Sequence, residues 1–418
     1  IKYIMENYQR TEGLFYPDSL RYYARQLSFE RNSQKIDPVN STSSSLSNTI
    51  IFNLPANSLV DPAMNLLFTG TTAATGAAPQ FIPSILDRVQ VLVNGRSVCD
   101  IQEYGVLFNQ VMNGSVGQDF MLKNWYSMNT VCLAAGATTH TYSIPLWLGF
   151  MGTADPIWLD TGLIGNIQIR LTLGAARVMG GGAAEAFPLT NIRALVQVAE
   201  MQDNLLYRSL VASKLLNGGA LRIPYKNYFT YQSTRGAASS SLRGTLVAKS
   251  IDKLIFTQRA ALADSGAIAT GKAPFNVFLR DDLDTIYFTI DGKRFPQYNV
   301  DGVQEQLAIT RQAWNGEQED GGDQLCANYG DGSPLAVLPT NTGNLPVQYN
   351  ERQWQVAIKL NDEEDDRVSS GYNTRGIASP VVATYTGAGG TAGNSIYLFA
   401  ECTSELVVRE GQVVEVVS

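Results

Sequence analysis

The side chains able to do chemistry are few and scattered along this chain of 418 residues. A single histidine, His140, lies in the alternating context Thr-Thr-His-Thr-Tyr, so a Ser-His-Asp or Cys-His nucleophile would have to use it. One histidine cannot build a multi-His metal centre, and a strand histidine without a chemical role is the expectation. Paired carboxylates need no histidine, because two acids across a cleft suffice for glycoside hydrolysis. Two runs offer them: Asp281-Asp282-Leu283-Asp284, and Asp362-Glu363-Glu364-Asp365-Asp366. Five adjacent acids repel one another unless spread in water, so the second run reads as a solvated loop tip. Calcium is the sharper alternative there, although the spacing is not that of an EF-hand.

The remaining candidates are weaker. Cys99, Cys132, Cys326 and Cys402 form no CxxC pair, which excludes a zinc ribbon or thioredoxin-like site. They are expected to be reduced thiols within strands. The glycine runs at 180–182 and 387–390 lack the P-loop pattern and read as loops. Asn40-Ser-Thr42 and Asn113-Gly-Ser115 satisfy the glycosylation sequon. Trp125, Trp147, Trp158, Trp314 and Trp354 are dispersed, which suits core or interface positions better than a sugar platform. No catalytic, cofactor or metal residue is assigned, and no enzyme activity is expected.

Composition bounds the class. Apolar residues make up 44% and charged residues only 17%, enough for large cores and too apolar for general disorder. So few charges suit a surface largely covered by neighbours. The formal net charge of −7 argues against wholesale nucleic-acid binding, which needs a basic face. No apolar run approaches the length of a membrane span.

One pattern occurs twice. The first copy is Val89 to Val93, Asn94-Gly95-Arg96, then Ile101 to Asn113-Gly114; the second is Ile286 to Ile290, Asp291-Gly292-Lys293, then Val300 to Asn315-Gly316. Each is an alternating strand, a turn pair suited to positive φ, a basic residue, and a helix-like segment stopped at Asn-Gly. The repeat predicts two similar domains. Around it, strands are expected at Thr49–Leu54, Met64–Thr69, Phe120–Leu122, Thr130–Leu133, Thr138–Ile144, Ile167–Leu173 and Ile192–Ala199. A second set is expected at Leu221–Tyr231, Thr245–Phe256, Phe275–Leu279, Trp354–Leu360, Ile396–Cys402 and Leu406–Val417, the last with a bulge or turn at Gly411.

The predicted fold is mainly β: two consecutive eight-stranded antiparallel jelly rolls with short flanking helices. The division is an N-terminal arm at 1–47, a first jelly roll at 48–202, a connecting helix at 203–219, and a second jelly roll at 220–418. The arm is locally basic through Arg21, Arg25, Arg31 and Lys35, with a helix-like stretch from Asp18 to Leu27. The stretch Gly316–Asn344 reads as a surface excursion.

This order of hairpin, helix, Ser143-Ile-Pro-Leu-Trp147, irregular span, alternating strand and connecting helix, followed by a second copy, resembles the double jelly-roll major capsid proteins of icosahedral viruses. That lineage includes adenovirus hexon and tailless membrane-containing phages. The resemblance covers about Asn48 to Ser418 and is topological, without a single diagnostic motif. It implies a structural subunit located in the virion and assembled inside the host cell, whose homotrimers form pseudo-hexagonal capsomers. The implied partners are neighbouring capsomers and penton and minor capsid proteins, with internal membrane or genome reached through the arm. It also implies outward loops, here 316–344, and an inward arm. A reading from another class stands beside it: an extracellular two-jelly-roll carbohydrate-binding protein or glycan hydrolase, with a perturbed carboxylate in a cleft.

Overall fold

The computed structural model describes residues 29–71, 82–115, 139–155, 158–174, 187–201, 220–236, 239–259, 278, 280, 283–314, 354–361, 370–375, 379–387, 393–409 and 413–417. The first nine strands are β1 (Phe29–Ile36), β2 (Thr49–Asn53), β3 (Leu59–Thr71), β4 (Leu86–Val93), β5 (Arg96–Gln102), β6 (Thr139–Leu146), the two-residue β7 (Leu159–Asp160), β8 (Ile167–Leu173) and β9 (Leu189–Met201). The next nine are β10 (Leu221–Thr234), β11 (Ser240–Leu246), β12 (Ile251–Arg259), β13 (Thr285–Ile290), β14 (Lys293–Asp301), β15 (Val356–Lys359), β16 (Ser379–Thr386), β17 (Ser395–Arg409) and β18 (Val413–Val417). Two longer helices, α1 (Tyr104–Ser115) and α2 (Gly302–Ala313), each follow the fifth strand of their half.

Pairing makes the duplication explicit. In the first half the sheets run β1-β9-β3-β6 and β2-β8-β4-β5; in the second they run β10-β17-β12-β15 and β11-β16-β13-β14. With β7 and β18 set aside as short additions beside β3 and β17, both halves have one order. The first, eighth, third and sixth strands make one sheet, and the second, seventh, fourth and fifth make the other. All pairs are antiparallel, and such interleaving of early and late strands is the jelly-roll connection. Burial follows the pleat: β3 and β8 alternate buried and half-buried residues along their length.

The repeated turns sit at matching corners. Asn94 and Gly95 have φ of 49° and 80°, and Asp291 and Gly292 have 52° and 74°, the left-handed pair that a two-residue hairpin needs. Asn94 also latches its corner, since Nδ2 donates to the Ile164 carbonyl at 2.8 Å and Oδ1 accepts from the Asn166 amide at 2.9 Å. The strand-to-helix corners match too, at Glu103 (φ 52°) and Gly302 (φ 71°). Ile101 and Val300, expected to begin the helices, therefore end β5 and β14 instead.

Other expectations are corrected. The arm read at 1–47 contains β1, which pairs residue for residue with β9 from Phe29↔Met201 to Ile36↔Ala194. Its side chains from Glu30 to Lys35 are exposed on both faces, so no apolar alternation marks it. The single strand expected at Thr245–Phe256 is two, β11 and β12, in different sheets; Leu246, Ala248 and Ile251 are all buried, so buried apolar residues flank the corner on both sides. Conversely, the strands expected at Ile396–Cys402 and from Leu406 are one, β17, because polar Thr403 and Ser404 are buried within it. β18 then folds back antiparallel on it. β16 was not anticipated. Helix α1 passes through Asn113-Gly114 to Ser115. The helices expected at 18–27 and 203–219, the strands at 120–122 and 130–133, and the excursion at 316–344 lie outside the described residues.

Candidate functional site

The residues singled out for chemistry do not converge among the described residues. His140 is exposed on β6, opposite Gly70 and beside the Tyr142 ring. Asp284 is exposed and 3.7 Å from the Arg280 guanidinium; Asp281, Asp282 and the acidic run 362–366 lie outside the described residues. The Cys99 and Cys402 thiols are buried and unlinked, and burial pushes Cys99 up to about 12, which leaves it unreactive. Cys132 and Cys326 lie outside the described residues, as do the glycines at 180–182 and Gly389 and Gly390 of the second run. No group of three or more His, Cys, Asp or Glu within reach of one cation occurs among the described residues. The amide of Asn40 is already engaged, with Nδ2 donating to Thr49 O at 2.6 Å and Oδ1 accepting from Ile51 N at 3.2 Å. A glycan there would replace one of the two Nδ2 hydrogens and leave Oδ1 as an acceptor. No described helix is long and apolar enough to cross a membrane.

The buried polar groups that do converge tie strands together. Lys226 on β10 places Nζ 2.9 Å from Asp252 Oδ2 and 3.0 Å from Thr403 Oγ1, while the Thr403 and Ser250 hydroxyls donate to the two Asp252 oxygens at 2.5 Å. The Gly371 amide donates to Ser250 Oγ at 2.8 Å. Both oxygens of the Asp252 carboxylate are thus hydrogen-bonded, which is what keeps a buried ion pair tolerable. At the exposed end of the same strands, Glu405 accepts from Lys249 Nζ at 2.8 Å and Arg222 Nη1 at 3.1 Å. The Lys249 hydrogen bond holds its carboxyl below the ordinary value.

The most extensive arrangement is the surface between the two halves. β10 of the second crosses β5 of the first: Tyr225 donates its hydroxyl to Val98 O at 2.7 Å, and Thr230 Oγ1 donates to Gln102 O at 2.9 Å. Tyr225 meets the Phe150 ring edge-on at 5.1 Å. The Asp155 amide donates to Pro224 O at 3.0 Å, and the Lys226 amide to Thr153 Oγ1 at 2.8 Å. Gln355 Nε2 donates to Gln110 O on α1 at 3.2 Å. Gly114 lies against the Trp314 indole so closely that a Cβ would overlap the ring. One apolar cluster runs through the first half and continues into Ile223, Tyr225, Ile255, Ala357 and Tyr397 of the second. Nothing in the sequence marks this surface beyond the apolar character of β10; Gly114 in particular carries the opposite suggestion, a helix stop.

Two stacked copies of one strand order, joined by a continuous apolar cluster, have counterparts among solved structures. The chain superposes on the PBCV-1 virus capsid protein with a TM-score of 0.64 at 11% identity, over 94% of this chain and 97% of that one. The fold is that of the double jelly-roll viral major capsid proteins. The Faustovirus major capsid protein matches with a TM-score of 0.58 at 11% identity, over 91% and 90% of the two chains. The mavirus major capsid protein matches at 0.50 and 12%, over 92% and 89%. No protein-family model matches the sequence, and no curated protein matches it. The double jelly roll is therefore shared at a sequence identity where fold alone is retained.

Proposed function

We propose that this chain is a major capsid protein, a structural subunit of an icosahedral virion that acts by assembly. Three copies would place six jelly rolls around one axis and give a capsomer of pseudo-hexagonal outline. The observation that carries the reading is the double jelly roll itself: two halves of one strand order, fused through a shared apolar cluster, matching a viral capsid protein over nearly the whole of both chains. Fused, near-equivalent halves suit a subunit that must present similar edges to several neighbours. The dispersion of the described reactive side chains accords with a role in which interfaces do the work. Neighbouring capsomers, and penton and minor capsid proteins at the vertices and seams, are the partners this role requires; an arm before Phe29 reaching membrane or genome belongs to the same proposal.

Mass measurement of the purified chain, with negative-stain imaging, tests it. The expected result is a particle of three times 45.5 kDa with a hexagonal outline. A dispersed 45.5 kDa species at tens of micromolar would overturn it.

A further inference from the structure

Helix α1 lies in the seam between the halves, and two of its residues go against local preference. Gln110 and Gly114 stand four positions apart, one turn along the same helix face. Glycine is a poor helix former, and a buried glutamine ordinarily brings partners for its amide. Yet Gly114 is buried within the last turn of α1. Gln110 is 0% exposed, and among the described residues neither its Oε1 nor its Nε2 has a hydrogen-bond partner. Natural chains break local rules where some other constraint requires it.

The facing wall belongs to the second half and supplies that constraint. Gln355, itself buried, donates from Nε2 to the main-chain carbonyl of Gln110 at 3.2 Å. Thr310 of α2 holds this part of the wall in place, its Oγ1 accepting from the Ala357 amide at 3.2 Å. One turn further along α1, the Trp314 indole fills the space that a side chain at Gly114 would need. The Lys253 ammonium, 3.9 Å from the ring centroid, steadies that indole from its own half.

A slide of α1 by one turn therefore fails in either direction. One way brings Gln110 to the place of Gly114, where the indole leaves no room even for a Cβ. The other carries Gln110 away from Gln355 to the place of Val106, which lies fully buried in the apolar cluster. We infer that Gln110 and Gly114 form a register key, which fixes how far α1 sits along the second half and so sets one jelly roll against the other. Gly114 forbids the first displacement and Gln110 the second. Gln110 does so at a cost in stability, as a buried polar group does where it specifies register. Apolar packing alone would keep the seam stable and place it less uniquely. The key acts within one chain and goes beyond the capsid reading without depending on it.

The test uses the full chain with its five tryptophans replaced by 5-fluorotryptophan, the Trp314 fluorine resonance being identified by Trp314→Phe. Gln110→Met keeps the length of the side chain and removes the amide. The expected results are a melting temperature about 1–3 °C above wild type, and a Trp314 resonance that is single in the wild type and split or broadened in the variant. Gly114→Ala is the control for the probe, since it must displace the indole and move its resonance. A Gln110→Met melting temperature at or below wild type, or a failure to fold, would overturn the inference, because the amide would then be stabilising the seam. A raised melting temperature with one sharp Trp314 resonance would sink it equally, by showing that the register holds without the amide. An unmoved resonance in Gly114→Ala would remove the close approach on which the key depends.

Discussion

At the scale of single residues, the molecule keeps its charges where their partners are complete. Lys226 and Asp252 are almost wholly enclosed, and Ser250 and Thr403 each donate to one oxygen of the carboxylate. Asp252→Ala would leave the Lys226 ammonium buried without its counter-charge, at a cost of about 3–5 kcal/mol. A fall in the denaturation midpoint checks this, and pairing Lys226→Met with Asp252→Leu should recover most of the loss. Glu405 makes a pH prediction with a definite sign. Its carboxyl sits below the ordinary value of 4.5, chiefly through the Lys249 hydrogen bond, so the folded state takes up that proton less readily than the unfolded chain. The contribution is whole above about pH 4.5 and drains as pH falls through the lower folded value. Glu405→Gln should flatten that part of the acid limb in a plot of melting temperature against pH. An unchanged limb would show that the carboxylate has the same proton affinity in both states.

At the scale of elements, conformational demand decides what must be glycine and what was readable in advance. Gly95 and Gly292 have positive φ with open space where a Cβ would stand, so an alanine at either would meet only backbone strain. The cost expected is about 1–2 kcal/mol each, equal at the two corners within error, measured by thermal melting. Gly114→Ala differs, because its Cβ would enter the Trp314 ring and push the two halves apart locally, at about 1–3 kcal/mol. The same distinction explains which elements the sequence disclosed. The hairpins at Asn94-Gly95 and Asp291-Gly292, and alternating strands such as Ile167–Leu173, follow from local rules and were legible. β1 was not, because both its faces are open and its residues Glu30 to Lys35 are polar. The corner between β11 and β12 was hidden by buried residues on either side of it, and the unity of β17 by the polar stretch that the Lys226 network accounts for. For the candidate site, single residues were readable and their convergence was not. The surface between the halves is made of main-chain carbonyls at Val98, Gln102, Gln110 and Pro224 receiving partners from far along the chain, and carbonyls leave no mark in sequence.

At the scale of the whole molecule, two jelly rolls that could have been beads on a string are instead coupled through one cluster. Ile223 and Tyr225 of the second half belong to the apolar cluster that fills the first. A fixed relation between the halves suits the proposed role in a shell, because a hinge between them would spread the geometry that neighbouring contacts must repeat. Coupling of this kind predicts one cooperative transition in calorimetry for the intact chain. Tyr225 is the place to weaken it, fully buried, edge-on to Phe150 and bonded to Val98 O. Tyr225→Ala should cost about 3–5 kcal/mol and separate the endotherm into two, since the loss falls on the contact between halves and spares each sandwich. Tyr225→Phe keeps the ring and removes only the hydroxyl, so it should lower the single transition by about 1 kcal/mol without dividing it. Two endotherms in the wild-type chain would mean that the halves melt independently.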